Sequence, residues 1–145
     1  MLKVKDILNR KGSQVWSIDR GATVLQAAQL MNEHRIGSLV VTEFGQVAGI
    51  FTERDVLQRI VAESRDPAAT RVGEVMSEEV VCCHLDTTLE EAGTAMKERR
   101  IRRLPVVNGG KQLIGMISMG DLNAMQTSSQ EHTIHLLHEY LYGRC

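Results

Sequence analysis

Apolar residues recur along this chain in two rhythms, and each rhythm appears twice. Val24, Ala27, Ala28 and Met31 fall on one stripe of a helix, as do Leu89, Ala92, Ala95 and Met96. Both runs open on a capping box, with Thr23 answered by Gln26 and Thr88 by Glu91. A short strand follows in each half, over residues 38–42 and 104–107. The turn Asn108-Gly109-Gly110, and its weaker counterpart Phe44-Gly45-Gln46, then reverse the chain. A second strand, 47–51 or 113–117, runs directly into another helix. With a first strand ahead of each helix, every half predicts strand, helix, strand, strand, helix. Residues 131–142 predict a terminal amphipathic helix, with Ile134, Leu137 and Leu141 on one stripe.

The two halves are copies. A displacement of 65 carries Val15 onto Val80, Thr23 onto Thr88, Ala27 onto Ala92, Met31 onto Met96, Arg35-Ile36 onto Arg100-Ile101 and Val41 onto Val106. One residue later, Gly49-Ile50-Phe51-Thr52-Glu53-Arg54-Asp55 aligns with Gly115-Met116-Ile117-Ser118-Met119-Gly120-Asp121. Polar and apolar positions stay in phase throughout, which marks a duplication. The polar, proline-containing stretch 63–70 joins the copies. The expected boundaries are 1–66 for the first repeat, 67–127 for the second and 128–145 for the terminal helix. A lone three-stranded sheet leaves one face uncovered, so the repeats are expected to pack together. The fold class is α/β: two βαββα repeats about a pseudo-twofold axis, plus a C-terminal helix.

Composition narrows the function. The 145 residues are 43% hydrophobic and 24% charged, the balance of a globular protein able to bury a core. A net charge of −1 and an aromatic content of 3% disfavour nucleic acid as a partner. Cys82, Cys83 and Cys145 make no disulfide framework, so a reducing cytoplasmic location is expected. The sequence shows neither a signal peptide nor a membrane span, and no membrane partner is expected.

The duplicated Gly-apolar-apolar-Thr/Ser-x-x-Asp segment and Arg103-Leu104-Pro105-Val106-Val107 resemble the cystathionine-β-synthase (CBS) domain family, in which two repeats form a Bateman module. The resemblance covers about residues 4–125. Chemistry supports a binding reading. A hydroxyl at a strand-to-helix junction sits at a positive helix end suited to phosphate. An acceptor-only carboxylate one turn later can take both hydrogens of a ribose diol. The plain alternative is an N-cap with an acidic residue favouring the helix dipole. The resemblance assigns phosphate contact to Thr52 and Ser118 and ribose contact to Asp55 and Asp121. Ile18, Ile50, Cys83, Pro105 and Met116 are the candidates to flank adenine.

The copies differ where phosphate would sit. Copy two has Arg99-Arg100-Ile101-Arg102-Arg103 where copy one has His34-Arg35-Ile36-Gly37-Ser38. Arg102 and Arg103 are the expected phosphate ligands, since arginine forms paired, charge-assisted bonds. Copy one offers His34 and Arg54, and its Gly37-Ser38 pair leaves room for a larger group, such as the second half of a dinucleotide.

Other features carry less. His132, His135 and His138 drift around a helix, and no carboxylate or cysteine completes a metal set. Cys82-Cys83 belongs to a buried strand, and Glu90-Glu91 to a capping box. Nothing asks for catalysis, so no enzyme, catalytic cofactor or metal is expected. The resemblance implies a homodimer that senses AMP, ADP, ATP or NAD(H) and signals to an unidentified protein effector. Alternatives are a ligand-free oligomerisation scaffold and an S-adenosylmethionine-binding module.

Overall fold

The computed structural model of the chain describes residues 1–126. The predicted terminal helix, its three histidines and Cys145 lie outside the described residues. The described elements run α1 (Val4–Lys11), β1 (Ser17–Asp19), α2 (Val24–His34), β2 (Ser38–Glu43), β3 (Gln46–Thr52), α3 (Glu53–Asp55), α4 (Val72–Val75), α5 (Leu89–Arg99), β4 (Arg103–Val107), β5 (Leu113–Ser118) and α6 (Met119–Gln126). Between α3 and α4 the helix continues as a π-helical segment, Val56–Val61. The class is α/β with two repeats, as the patterning predicts.

The helix starts follow the predicted chemistry. Thr23 Oγ1 accepts from the Gln26 amide at 3.1 Å, and Gln26 Oε1 accepts from the Thr23 amide at 2.9 Å. Thr88 and Glu91 repeat this exchange at 3.1 and 3.2 Å. Val24, Ala27 and Met31 are buried on α2, and Leu89, Ala92 and Met96 on α5. Both helices end on an arginine in the left-handed region, Arg35 at φ 54° and Arg100 at φ 55°. Tight turns then feed β2 and β4.

In the first repeat β1 pairs parallel with β2, and β2 antiparallel with β3. In the second, β4 and β5 form an antiparallel pair, and the predicted first strand shrinks to a single residue. Cys83 bridges Val106 in parallel, donating to Pro105 O and accepting from the Val107 amide, each at 2.9 Å. The displacement of 65 carries the Ile18–Val41 pair of the first sheet onto this bridge. Pairing stops there because the His84 amide is taken by the Thr87 hydroxyl at 3.0 Å, which turns the chain away.

Each core borrows a helix from the other half of the sequence. Val4, Ile7 and Leu8 of α1 pack with Cys83, Leu89, Ala92, Met96, Leu104, Val106 and Ile117 of the second repeat. Val72, Val75 and Met76, on and just after α4, pack with Val24, Ala27, Leu39, Val41 and Phe51 of the first. The signature glycines make room for this exchange. A Cβ on Gly49 would meet Ser77 O at 2.6 Å and Met76 Sδ at 2.7 Å. On Gly115 it would meet the Leu8 methyls at 3.0 Å.

The pseudo-twofold axis passes where Gln46 bridges its own counterpart, Gln112. The Val47 amide donates to Lys111 O at 3.1 Å, and reciprocally the Leu113 amide donates to Gly45 O at 3.2 Å. Among the described residues no helix is long and apolar enough to cross a membrane.

Candidate functional site: the cleft between the repeats

The strand-to-helix junctions of both repeats open into one cavity of about 560 Å³ on the pseudo-twofold axis. Its walls include Ser38, Ile50, Thr52 and Glu53 from the first repeat, and Arg102, Arg103, Ser118, Met119 and Gly120 from the second. Four predicted phosphate ligands, Thr52, Ser118, Arg102 and Arg103, are thus brought together with the predicted adenine neighbour Ile50. A smaller cavity of about 230 Å³ adjoins it, lined by Lys11, Gln14, Val15, Trp16, Ile36 and Met116. Ser38, Arg103 and Ser118 line both cavities and mark where they connect.

Both hydroxyl–carboxylate pairs are capping boxes. Asp55 Oδ2 accepts from the Thr52 amide at 2.9 Å and from the Thr52 hydroxyl at 3.1 Å, while the Asp55 amide donates back to Thr52 Oγ1 at 3.3 Å. Its other oxygen faces Arg59 Nε at 3.6 Å. Asp121 Oδ2 accepts from the Ser118 amide at 2.8 Å, and Ser118 Oγ accepts from the Asp121 amide at 3.1 Å. Capping and ligand contact are compatible, because a carboxylate has about four acceptor positions. The first-turn amides of Glu53 and Met119 are already committed, to Gly37 O at 3.0 Å and Arg102 O at 2.8 Å. Beyond these contacts the first-turn donors left are the amides of Arg54 and Gly120.

The boxes differ in their cation. Asp121 Oδ2 also accepts from Lys11 Nζ at 2.7 Å, across from α1. Desolvation, the largest single influence, pushes the Asp121 carboxyl up. Hydrogen bonds from Lys11 and Ser118, with the Lys11 charge, outweigh it and hold the group below its ordinary value.

Other predicted site residues lie elsewhere. Cys83 is buried in the second repeat's core, Pro105 is buried on β4 and Ile18 packs against the first core, and none of the three is among the walls of these two cavities. Cys83 and Ile18 face their cores, whereas Pro105, between core-facing Leu104 and Val106, is buried on the opposite face of β4, a distinction that the apolar pattern alone does not make. Burial pushes the Cys83 thiol up to about 12, with Cys82 adding to the effect. Arg54 is exposed on α3 and is not among the central cavity's walls. His34 stacks on Trp16, ring centroids 3.6 Å apart and planes 19° from parallel. Gly37 and Ser38 line the central cavity, and the Glu53 carboxylate lies against that glycine and sets a negative charge on the same wall.

Sequence reasoning missed Lys11, Trp16 and Glu53. Trp16, the chain's one tryptophan, sits just before β1 and was a signal available to find. Lys11 gives no comparable signal, because it reaches the site only through the helix exchange.

The family model for the CBS domain matches residues 4–62 and again 72–125. The chain belongs to the CBS-domain family. It is a tandem CBS pair, and its alignments run through both repeats. The CBS domain-containing protein YhcV of Bacillus subtilis is 38% identical over 130 residues, 90% of this chain and 89% of that protein. A solved protein with CBS domains from Burkholderia ambifaria matches with a TM-score of 0.78 and 38% identity, covering 91% of this CBS pair and 98% of that chain. The fold also matches a CBS domain pair solved in complex with 5′-methylthioadenosine and S-adenosyl-L-methionine, TM-score 0.71 at 23% identity, covering 87% of this chain and 96% of that one.

Proposed function

We propose that this CBS pair is a regulatory module that binds an adenosine-bearing ligand between its repeats and passes its occupancy to another chain. The observation that carries the reading is the convergence of both junction hydroxyls, Thr52 and Ser118, and two arginines on one inter-repeat cavity, with Asp55 and Asp121 held to those hydroxyls but not themselves among its walls. Arg102 and Arg103 offer forked donors to phosphate. Thr52 and Ser118 add hydroxyls at helix ends, where the dipole favours an anion. Asp55 and Asp121 keep acceptor capacity for a ribose diol, and Ile50 and Met116 offer apolar surface to adenine. A ligand touching both repeats favours the arrangement in which both sets of contacts are made, and so shifts the population of inter-repeat states.

AMP, ADP, ATP and NAD(H) all present the required diol and phosphates. The fold in another CBS pair accommodates adenosyl sulfur compounds, so S-adenosylmethionine belongs in the same test. Homodimerisation, an effector protein and a cytoplasmic setting complete the proposal. Thermal melts of ligand-free protein with each compound test it. At a hundred times the dissociation constant, a ligand specific to the folded state adds about 2.7 kcal/mol. An upward shift with at least one compound is expected. No shift with any, at millimolar concentration, would refute the binding role and favour a ligand-free scaffold.

A further inference from the structure

We propose that Lys11 is a specificity-determining residue that tunes the second repeat's site for anionic adenosine ligands over neutral or cationic ones; this rests on the adenosine reading above. Lys11 lies at the last position of α1, whose counterpart α4 is only four residues long against eight. The longer helix carries the ammonium to Asp121 and onto the wall of the smaller cavity. That cavity offers Trp16, Val15 and Met116 as apolar surface, and joins the central one past Ser118 and Arg103. The displacement of 68 that relates α1 to α4 places Glu79 opposite Lys11 in sequence. The lysine therefore belongs to one site of the two; Asp55 instead faces Arg59, one turn along its own helix, at 3.6 Å.

The ribose-reading carboxylate is thus already neutralised by an ion pair in the free protein. A diol arriving at Asp121 exchanges with the ammonium or shares the carboxylate with it. The released lysine then stands beside Arg103 at the passage between the cavities. A ligand carrying phosphate there regains a salt contact for the one disturbed. Neutral 5′-methylthioadenosine offers no compensation, and the sulfonium of S-adenosylmethionine is repelled by both cations. The same charge pattern thereby favours nucleotides and penalises adenosyl sulfur compounds.

Trp16, the only tryptophan, lines this cavity and reports on it. AMP, 5′-methylthioadenosine and S-adenosylmethionine are titrated into wild type, Lys11→Met and Lys11→Arg, following Trp16 fluorescence and, in parallel, heat. Wild type should prefer AMP. Lys11→Met should weaken AMP about tenfold, the order expected for one charge-assisted contact. It should also tighten 5′-methylthioadenosine, while Lys11→Arg keeps the wild-type preference. Melting of each variant establishes that it is folded. Binding with a preference unchanged in folded Lys11→Met overturns the role of Lys11 while leaving the adenosine reading intact. Absence of heat and fluorescence change with all three compounds in wild type overturns both.

Discussion

At the scale of single residues, the close approaches are specific enough to test. Gly49 accepts no side chain cheaply, because its added Cβ would press on the backbone carbonyl of Ser77 and on Met76 in the core. Gly49→Ala should cost about 1–3 kcal/mol, as overpacking does, read from denaturant unfolding. Gly37→Ala meets only the end of the exposed Glu53 side chain, which can swing aside, and should stay within about 0.5 kcal/mol. Asp121 gives a pH signature. Its folded carboxyl titrates below the ordinary 3.8, so its contribution to stability is complete above that value. That contribution is lost as pH falls through the lower folded value. Lys11→Met should move the carboxyl upward, so the variant loses less stability between neutral and acid pH than wild type does. A carboxyl-carbon NMR titration of Asp121 measures the shift directly. The pairing of Thr52 with Asp55 and of Ser118 with Asp121 was legible in sequence because the three-residue spacing is that of a capping box. The placing of Cys83, Pro105 and Ile18 off the cavity walls was not legible, because an apolar residue on a strand does not say whether it faces core or cleft.

At the scale of elements, the exchanged helices are the least intuitive feature. Both repeats were visible as repeats, yet α1 opens the first repeat and completes the core of the second. Nothing in its local pattern says so, since an amphipathic stripe records that a face is buried and not against what. The exchange predicts that damage to α1 is felt in the other half. Ile7 is 2% exposed inside the second core, so Ile7→Ala should cost about 2–5 kcal/mol. Hydrogen exchange should show the loss of protection in α5, β4 and β5 before α2, β2 and β3. Equal loss in both halves would mean that the cores melt as one unit. The second copy's missing strand follows from similar local competition: a hydroxyl at Thr87 offers the His84 amide a turn in place of continued pairing.

For the whole molecule, duplication with a pseudo-twofold axis puts two like junctions on one cavity, and divergence of a few side chains makes that cavity unequal. Arg102 and Arg103 face a wall carrying Gly37, Ser38 and Glu53, so the second repeat supplies the cationic side. The fold class, the helix caps and both hydroxyl–carboxylate boxes were readable from self-similarity. The Lys11 cation and the Glu53 anion were not, because they act across the exchange or the cleft. The most direct test is calorimetric titration of ligand-free protein with AMP, comparing wild type, Asp55→Ala and Asp121→Ala, each shown by melting to be folded. Wild type should bind AMP saturably, and each variant should lose one class of site. Unchanged stoichiometry and affinity in both folded variants would contradict the assignment of the two carboxylates to ligand.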